Sequence, residues 1–147
     1  MSDNKYIILA DDDSDDRELF EEALSEINNN IKVLLSIDGA QLMDTLNETN
    51  SLKPILIFLD INMPKKNGFE CLEQIRLSPT LKNIPVIIYS TCSQKDTVNK
   101  AFKSGANYFV RKPDNFGALK ILLQKILNIN FELARDKITR DTFVITI

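Results

Sequence analysis

The sequence contains no histidine. That absence excludes histidine-based acid–base chemistry, Ser-His-Asp triads and His-ligated zinc together. Cysteine is nearly absent as well. Cys71 and Cys92 are the only two, and their spacing matches no metal or redox motif, so two small part-buried thiols in a reducing compartment are expected. No apolar run is long enough to cross a bilayer. The opening MSDNKYIILADDD turns acidic too soon for a secretory leader. The expectation is a cytoplasmic chain without a membrane partner.

What is present is ordinary globular material: 147 residues, 44% hydrophobic and 27% charged. This suits one domain with its own core and a short extension. The net charge of −3 conceals an asymmetry, because residues 1–75 carry 16 acidic and 6 basic side chains, and residues 76–147 carry 5 and 12. The basic half is diffuse, which does not make a nucleic-acid footprint.

Apolar runs recur at 6–10, 31–37, 55–61, 85–90 and 108–110. Most are nearly continuous rather than alternating, as expected for parallel strands covered on both faces. Helical spacing fills the intervals. Leu19, Phe20, Ala23, Leu24 and Ile27 make one stripe; Leu42, Met43 and Leu46 a second; Phe69, Leu72 and Ile75 a third. Val98, Ala101 and Phe102 mark a fourth helix that should stop at Gly105, and Phe116, Leu119, Leu122, Leu123, Ile126 and Leu127 a fifth. Alternating β and α elements predict an α/β fold, a doubly wound parallel (βα)5 sheet. Five units fit the flavodoxin-like order 2-1-3-4-5, in which ligands lie beyond the carboxyl ends of the strands.

Those ends carry a chemical set. The first run ends in Asp11, Asp12 and Asp13, the third at Asp60, the fourth in Ser90 and Thr91, and the fifth runs into Lys112. Strands 1 and 3 are neighbours in this order, so their carboxylates should converge. Clustered carboxylates raise one another's pKa unless a cation neutralises them, and a hard, oxygen-seeking ion such as Mg²⁺ also accepts phosphate oxygens. A carboxylate beside such an ion can attack phosphorus, and the charge developing on the phosphoryl oxygens needs an ammonium and a hydroxyl. Asp60, Lys112 and Ser90 match those three roles.

Aligned through Ala10-Asp11-Asp12, Leu59-Asp60-Ile61-Asn62-Met63-Pro64, Ile88-Tyr89-Ser90-Thr91 and Arg111-Lys112-Pro113, residues 5–127 resemble the response-regulator receiver domains of two-component and phosphorelay systems, here of the stand-alone type. The resemblance implies Asp60 as phosphoacceptor. It implies Mg²⁺ bound by Asp12, Asp60 and the Asn62 carbonyl, with Asp11 acting through a water. It assigns Ser90 and Lys112 to the phosphoryl group, and the switch to Ser90 with Phe109, which stands where such domains carry a rotating aromatic. It further implies a cis bond between Lys112 and Pro113 and a positive φ tolerated at Gly68. Asn62 and Cys92 fall at positions flanking the acceptor, and neither is bulky or charged, so water should reach the acyl phosphate. Such a protein is a signalling switch rather than an enzyme. Its partners would be a sensor histidine kinase or a histidine phosphotransfer protein, which must supply the phosphohistidine this chain lacks, and a downstream effector protein.

Other readings fit less well. Asp11, Asp13, Asp15 and Glu22 occupy calcium-loop positions, but Asp16 stands where the loop needs glycine. Asp13, Asp15 and Asp16 are expected to cap the first helix instead. A haloacid-dehalogenase-type phosphatase would want an acidic residue where Asn62 stands. A degenerate receiver serving as a constitutive binding module is the remaining alternative.

Phosphorylation is expected to draw Ser90 inward, let Phe109 follow, and alter the face made by the fourth helix, fifth strand and fifth helix. Lys95, Lys100, Lys103, Lys120 and Lys125 should make that face basic, suiting an acidic partner or self-association. Residues 1–127 are assigned to the receiver and 128–147 to an extension, too short for a DNA-binding module with its own core. Its last stretch, TFVITI at 142–147, has high β propensity and calls for a partner edge, either in its own sheet or across a homodimer.

Overall fold

The computed structural model describes residues 5–48 and 52–146. Strand and helix alternate as β1 (Tyr6–Ala10), α1 (Ser14–Ile27), β2 (Lys32–Ser36), α2 (Gly39–Leu46), β3 (Leu56–Leu59), α3 (Gly68–Leu77), β4 (Val86–Ser90), α4 (Lys95–Lys103), β5 (Tyr108–Arg111) and α5 (Phe116–Leu127). The sheet runs β2-β1-β3-β4-β5 with every pair parallel, as expected. Successive strand residues supply opposite layers. Ile8, Ala10, Ile57, Leu59, Val86, Ile88 and Phe109 pack with residues of α2, α3 and α4 on one side. Ile7, Leu9, Leu56, Phe58, Ile87, Tyr89 and Val110 pack with α1 and α5 on the other.

Short polar side chains start the helices. Asp13 accepts from the amides of Asp15 and Asp16, Asp38 from Gln41, and Asn115 from Ala118, while Asn67 and Glu70 form a reciprocal capping box at α3. α4 is capped by Ser104, followed by Gly105 with φ 97°, a left-handed stop where one was expected. At the amino edge of the sheet, the Arg76 guanidinium of α3 donates to the carbonyls of Gly105 (2.7 Å), Lys82 (3.0 Å) and Ile84 (2.9 Å) and to Asn107 Oδ1 (2.8 Å).

Past α5 the chain forms a short helix, α6 (Phe131–Ala134), a 3-10 turn (Arg135–Lys137) and a sixth strand, β6 (Val144–Ile145). β6 lies parallel to β5, with Phe109 opposite Val144 and Val110 opposite Ile145, and so extends the sheet by one further crossover. Of the two edges open to the tail, it takes that of its own sheet. Ile147, the end of the expected strand, lies outside the described residues. Phe143 is fully buried, edge-on to Phe102 of α4 at 5.2 Å between centroids, and Arg140 Nε donates to Asn99 Oδ1 at 2.6 Å. Burying a phenylalanine side chain is worth about 2–3 kcal/mol, so the tail is held by packing more than by its two-residue ladder.

Two local expectations are corrected. No cis peptide occurs among the described residues, so the Lys112–Pro113 bond is trans. The only positive-φ residues among them are Lys65 (67°) and Gly105, and Gly68 is not one. Glycine is needed at 68 for room instead: a Cβ there would lie 2.3 Å from the carbonyl oxygen of Asp60.

Candidate functional site

Register creates the site. Ala10 pairs with Leu59, so Asp11 and Asp60, one residue further on, leave the sheet side by side. The Asp60 amide donates to the Ala10 carbonyl at 2.9 Å and the Asp11 amide to Ser36 at 3.0 Å, so both backbones stay tethered as the strands end. Ser90 pairs with Arg111, and the Lys112 amide donates to the Ser90 carbonyl at 2.9 Å, which sends Lys112 off the adjacent strand end toward the same pocket.

Asp11 is wholly buried and Asp60 nearly so, whereas Asp12 faces solvent. One carboxylate oxygen from each of the three lies within 4.8 Å of the others. Lys112 Nζ reaches Asp11 Oδ2 at 2.7 Å, Asp16 Oδ2 at 2.8 Å and Asp60 Oδ2 at 3.1 Å. Asp60 Oδ1 accepts the amide of Ile61 at 2.7 Å, and Asp11 Oδ1 that of Asp13 at 3.0 Å. Burial pushes the Asp11 carboxyl up from 3.8 to about 6, with Lys112 and the Asp13 amide pulling the other way. Burial lowers the Lys112 ammonium, but its bonds to Asp11 and Asp16, with Asp60 adding, more than offset this and leave it above the usual lysine value.

A divalent cation suits this donor set. Three converging carboxylates with one ammonium leave net negative charge in a part-buried pocket, and the buried Asp11 Oδ2 receives no well-directed hydrogen bond despite its ionic contact with Lys112. Asn62 is exposed in the loop after β3, and among the described residues no hydrogen bond or ion pair joins its side chain to the pocket. Ser90 is fully buried at the end of β4, where its Oγ accepts the Cys92 amide at 3.1 Å. Phe109 is also fully buried, and Phe143 lies against it at 6.5 Å between centroids.

Asp16 is the residue that sequence reasoning left outside the site. Its backbone amide is part of the α1 cap, as expected, yet its side chain turns inward to Lys112. An acidic residue in a first helical turn is already explained by the helix dipole, and no local pattern shows that a lysine 96 positions later will reach it. Of the expected basic face, Lys95, Lys100, Lys103 and Lys125 are exposed and Lys120 is half-buried. Three of these side chains also have partners: Lys100 sits over the Phe69 ring at 4.4 Å, Lys120 pairs with Glu26 at 3.1 Å, and Lys125 donates to the Thr146 carbonyl at 2.8 Å.

An acidic pocket at the carboxyl edge of a doubly wound parallel sheet, entered by a lysine from beyond β5 and with a buried serine at the end of β4, defines a class of α/β domain. The family model of the response regulator receiver domain matches residues 7–124. The chain belongs to the response regulator receiver family of two-component systems. It is 33% identical over 126 residues to the response regulator Rcp1 of Synechocystis sp., covering 83% of this chain and 86% of that one. The structure is similar to that of a phosphorylated cyanobacterial phytochrome response regulator, RcpA, with a TM-score of 0.78 and 32% identity over 93% of this chain and 98% of that one. It also resembles an Mn²⁺-bound form of Rcp1, with a TM-score of 0.73 and 32% identity over 92% and 97% of the two chains. Domains of this family are signalling switches that bind Mg²⁺ or Mn²⁺ in an acidic pocket. Among the described residues, no helix is long and apolar enough to cross a membrane.

Proposed function

We propose that this chain is a phospho-accepting switch in which Asp60 takes a phosphoryl group from a phosphohistidine on another protein. The observation that carries this is Lys112 Nζ standing 3.1 Å from Asp60 Oδ2, within a pocket where Asp11, Asp12 and Asp60 converge. Asp12, Asp60 and the Asn62 carbonyl are assigned to Mg²⁺, with Asp11 acting through a water; the ion when bound would neutralise the carboxylates and the incoming phosphoryl oxygens. An Asp60 oxygen forms the new O–P bond as the donor's N–P bond breaks, and the imidazole leaves with the bonding pair and takes a proton from water. Asp60 Oδ1 is already engaged by the Ile61 amide, which leaves Oδ2, facing Lys112, as the attacking atom. Lys112 then pairs with the transferred oxygens, and Ser90 turns its hydroxyl to them.

The signal leaves by protein–protein contact. In this reading the receiver occupies residues 1–127, with the tail as an added element, and the chain works in the cytoplasm. A sensor histidine kinase or phosphotransfer protein lies upstream. Downstream stands an effector protein, or a second copy, meeting the basic face around Lys95 and Lys103.

The test is intact mass after incubation with Mg²⁺ and acetyl phosphate. One phosphoryl group per chain is expected, with none on Asp60→Asn and none after chelation. Modification that persists in Asp60→Asn would remove the assignment, and no modification of the unaltered chain would leave a constitutive binding module in its place.

A further inference from the structure

We infer that Asp16 is a positioning residue that keeps the Lys112 ammonium in the pocket while a cation and a phosphoryl group draw on the other carboxylates. The inference rests on the phospho-acceptor reading and assigns a role to a residue outside the cation-binding set.

Lys112 Nζ has three N–H bonds and three carboxylate oxygens around it, at 2.7 Å (Asp11), 2.8 Å (Asp16) and 3.1 Å (Asp60). Two of these partners are shared. Asp11 and Asp60 belong to the converging trio, together with Asp12, and Asp16 does not. A divalent ion held by that trio repels the ammonium and takes up charge the ammonium had been using. Once Asp60 is esterified it also carries less charge toward Nζ. Asp16 is the one partner that neither event consumes.

Its placement is fixed rather than incidental. Asp13 Oδ1 accepts the Asp16 amide at 3.1 Å, and Arg17, the next residue, donates from Nη1 to the Asp11 carbonyl at 2.9 Å. The first turn of α1 is thereby tied to the end of β1, the strand that carries Asp11. Without Asp16, the ammonium competes with the cation for every anion it touches, and its flexible four-carbon stem can leave for water.

The test compares Asp16→Asn, Asp16→Glu and Asp15→Asn with the unaltered chain. Asp15 is an exposed neighbour in the same turn, and no ion pair joins it to Lys112 among the described residues. Asp15→Asn therefore removes the same charge without touching the lysine. Three readouts are taken. The first is the rate of phosphoryl uptake from acetyl phosphate at saturating Mg²⁺. The second is Mg²⁺ affinity by tyrosine fluorescence, for which Tyr89 reports because its ring lies 5.6 Å from Lys112 Nζ. The third is the rate at which an amine-acetylating reagent labels Lys112 in the Mg²⁺-loaded protein, read by peptide mass.

Loss of one charge-assisted hydrogen bond predicts uptake slowed about tenfold and Lys112 labelled about fivefold faster in Asp16→Asn. Asp15→Asn should stay within about twofold of the unaltered chain in both, and Asp16→Glu should recover part of each effect. Mg²⁺ affinity should fall by similar small factors in the two Asn variants. The inference is overturned if the Asn variants match in uptake and labelling, or if the uptake defect of Asp16→Asn is accounted for by lost Mg²⁺ affinity. If the unaltered chain takes up no phosphoryl group, the phospho-acceptor reading fails. The labelling arm then still decides whether Asp16 holds the lysine.

Discussion

The backbone amide of Phe109 donates to the carbonyl of Phe143 at 3.1 Å, and both side chains are fully buried. The aromatic proposed as the switch is thus covered by the chain's own tail. The movement of Phe109 expected on phosphorylation would start from this fully buried position, with Phe143 6.5 Å away between centroids. Removing Phe143 exposes that contact. Phe143→Ala should cost about 3–4 kcal/mol, measured by denaturant unfolding, and a chain ending at Leu127 should lose at least as much. An unchanged midpoint in either would show that the tail contributes nothing to the core.

Lys112 holds together charges that otherwise repel. Lys112→Met, in the absence of divalent ions, should destabilise the fold by about 3 kcal/mol, the typical cost of stranding a buried ionic partner. Saturating Mg²⁺ should recover much of this loss, because the ion replaces the missing positive charge. Phosphoryl uptake should not recover with it. Denaturant curves with and without Mg²⁺ check the first part, and intact mass the second.

The pH dependence follows from Asp11. Its folded-state pKa of about 6 lies above its ordinary 3.8, so the folded chain binds this proton more tightly than the unfolded one. The group therefore contributes stability at low pH that fades as pH rises from about 4 through about 6. A protonated carboxyl is also a poor cation ligand. The rise in Tm on adding Mg²⁺ should accordingly be larger at about pH 7.5 than at about pH 5. Equal increments at both values would argue against a part for Asp11 in holding the cation.

Gly68→Ala forces a methyl to within 2.3 Å of the Asp60 carbonyl oxygen and 2.9 Å of Ile61 Cα. Both are backbone at the end of β3, with no flexible side chain to move aside. The expected cost is about 1–3 kcal/mol, with a fall in Mg²⁺ affinity because Asp60 itself is displaced. A titration matching the unaltered chain would show that the loop yields without disturbing Asp60.

Much of this was legible in the sequence, and the reason is local. A run such as YIILA, followed at once by acidic residues, specifies both a buried strand and where it ends, and the observed β1 spans Tyr6–Ala10. The convergence of Asp11, Asp60 and Lys112 follows from strand order, since each stands just past the carboxyl end of a strand, and Ser90 ends β4, the strand between β3 and β5. Asp16 was hidden because its backbone duty in the cap accounts for an acidic residue there, and nothing local reveals the second duty of its side chain. Gly68 was assigned a conformational role because its closeness to Asp60 is a tertiary fact. The tail declared its β propensity but not its edge. Which edge it takes depends on Phe143 finding Phe102 and Phe109, from two other elements.

Arg76 has a consequence for how the sheet can give. One guanidinium moors the entrance of β4, through Ile84 and the Asn107 side chain that also accepts the Val86 amide, and the turn leading into β5, through Gly105. These two strands, which carry Ser90 and Phe109, are thereby anchored at one foot. Any yielding between them is concentrated at the opposite rim, beside the acidic pocket, where a small shift in Ser90 can tilt its neighbour without loosening the footing beneath.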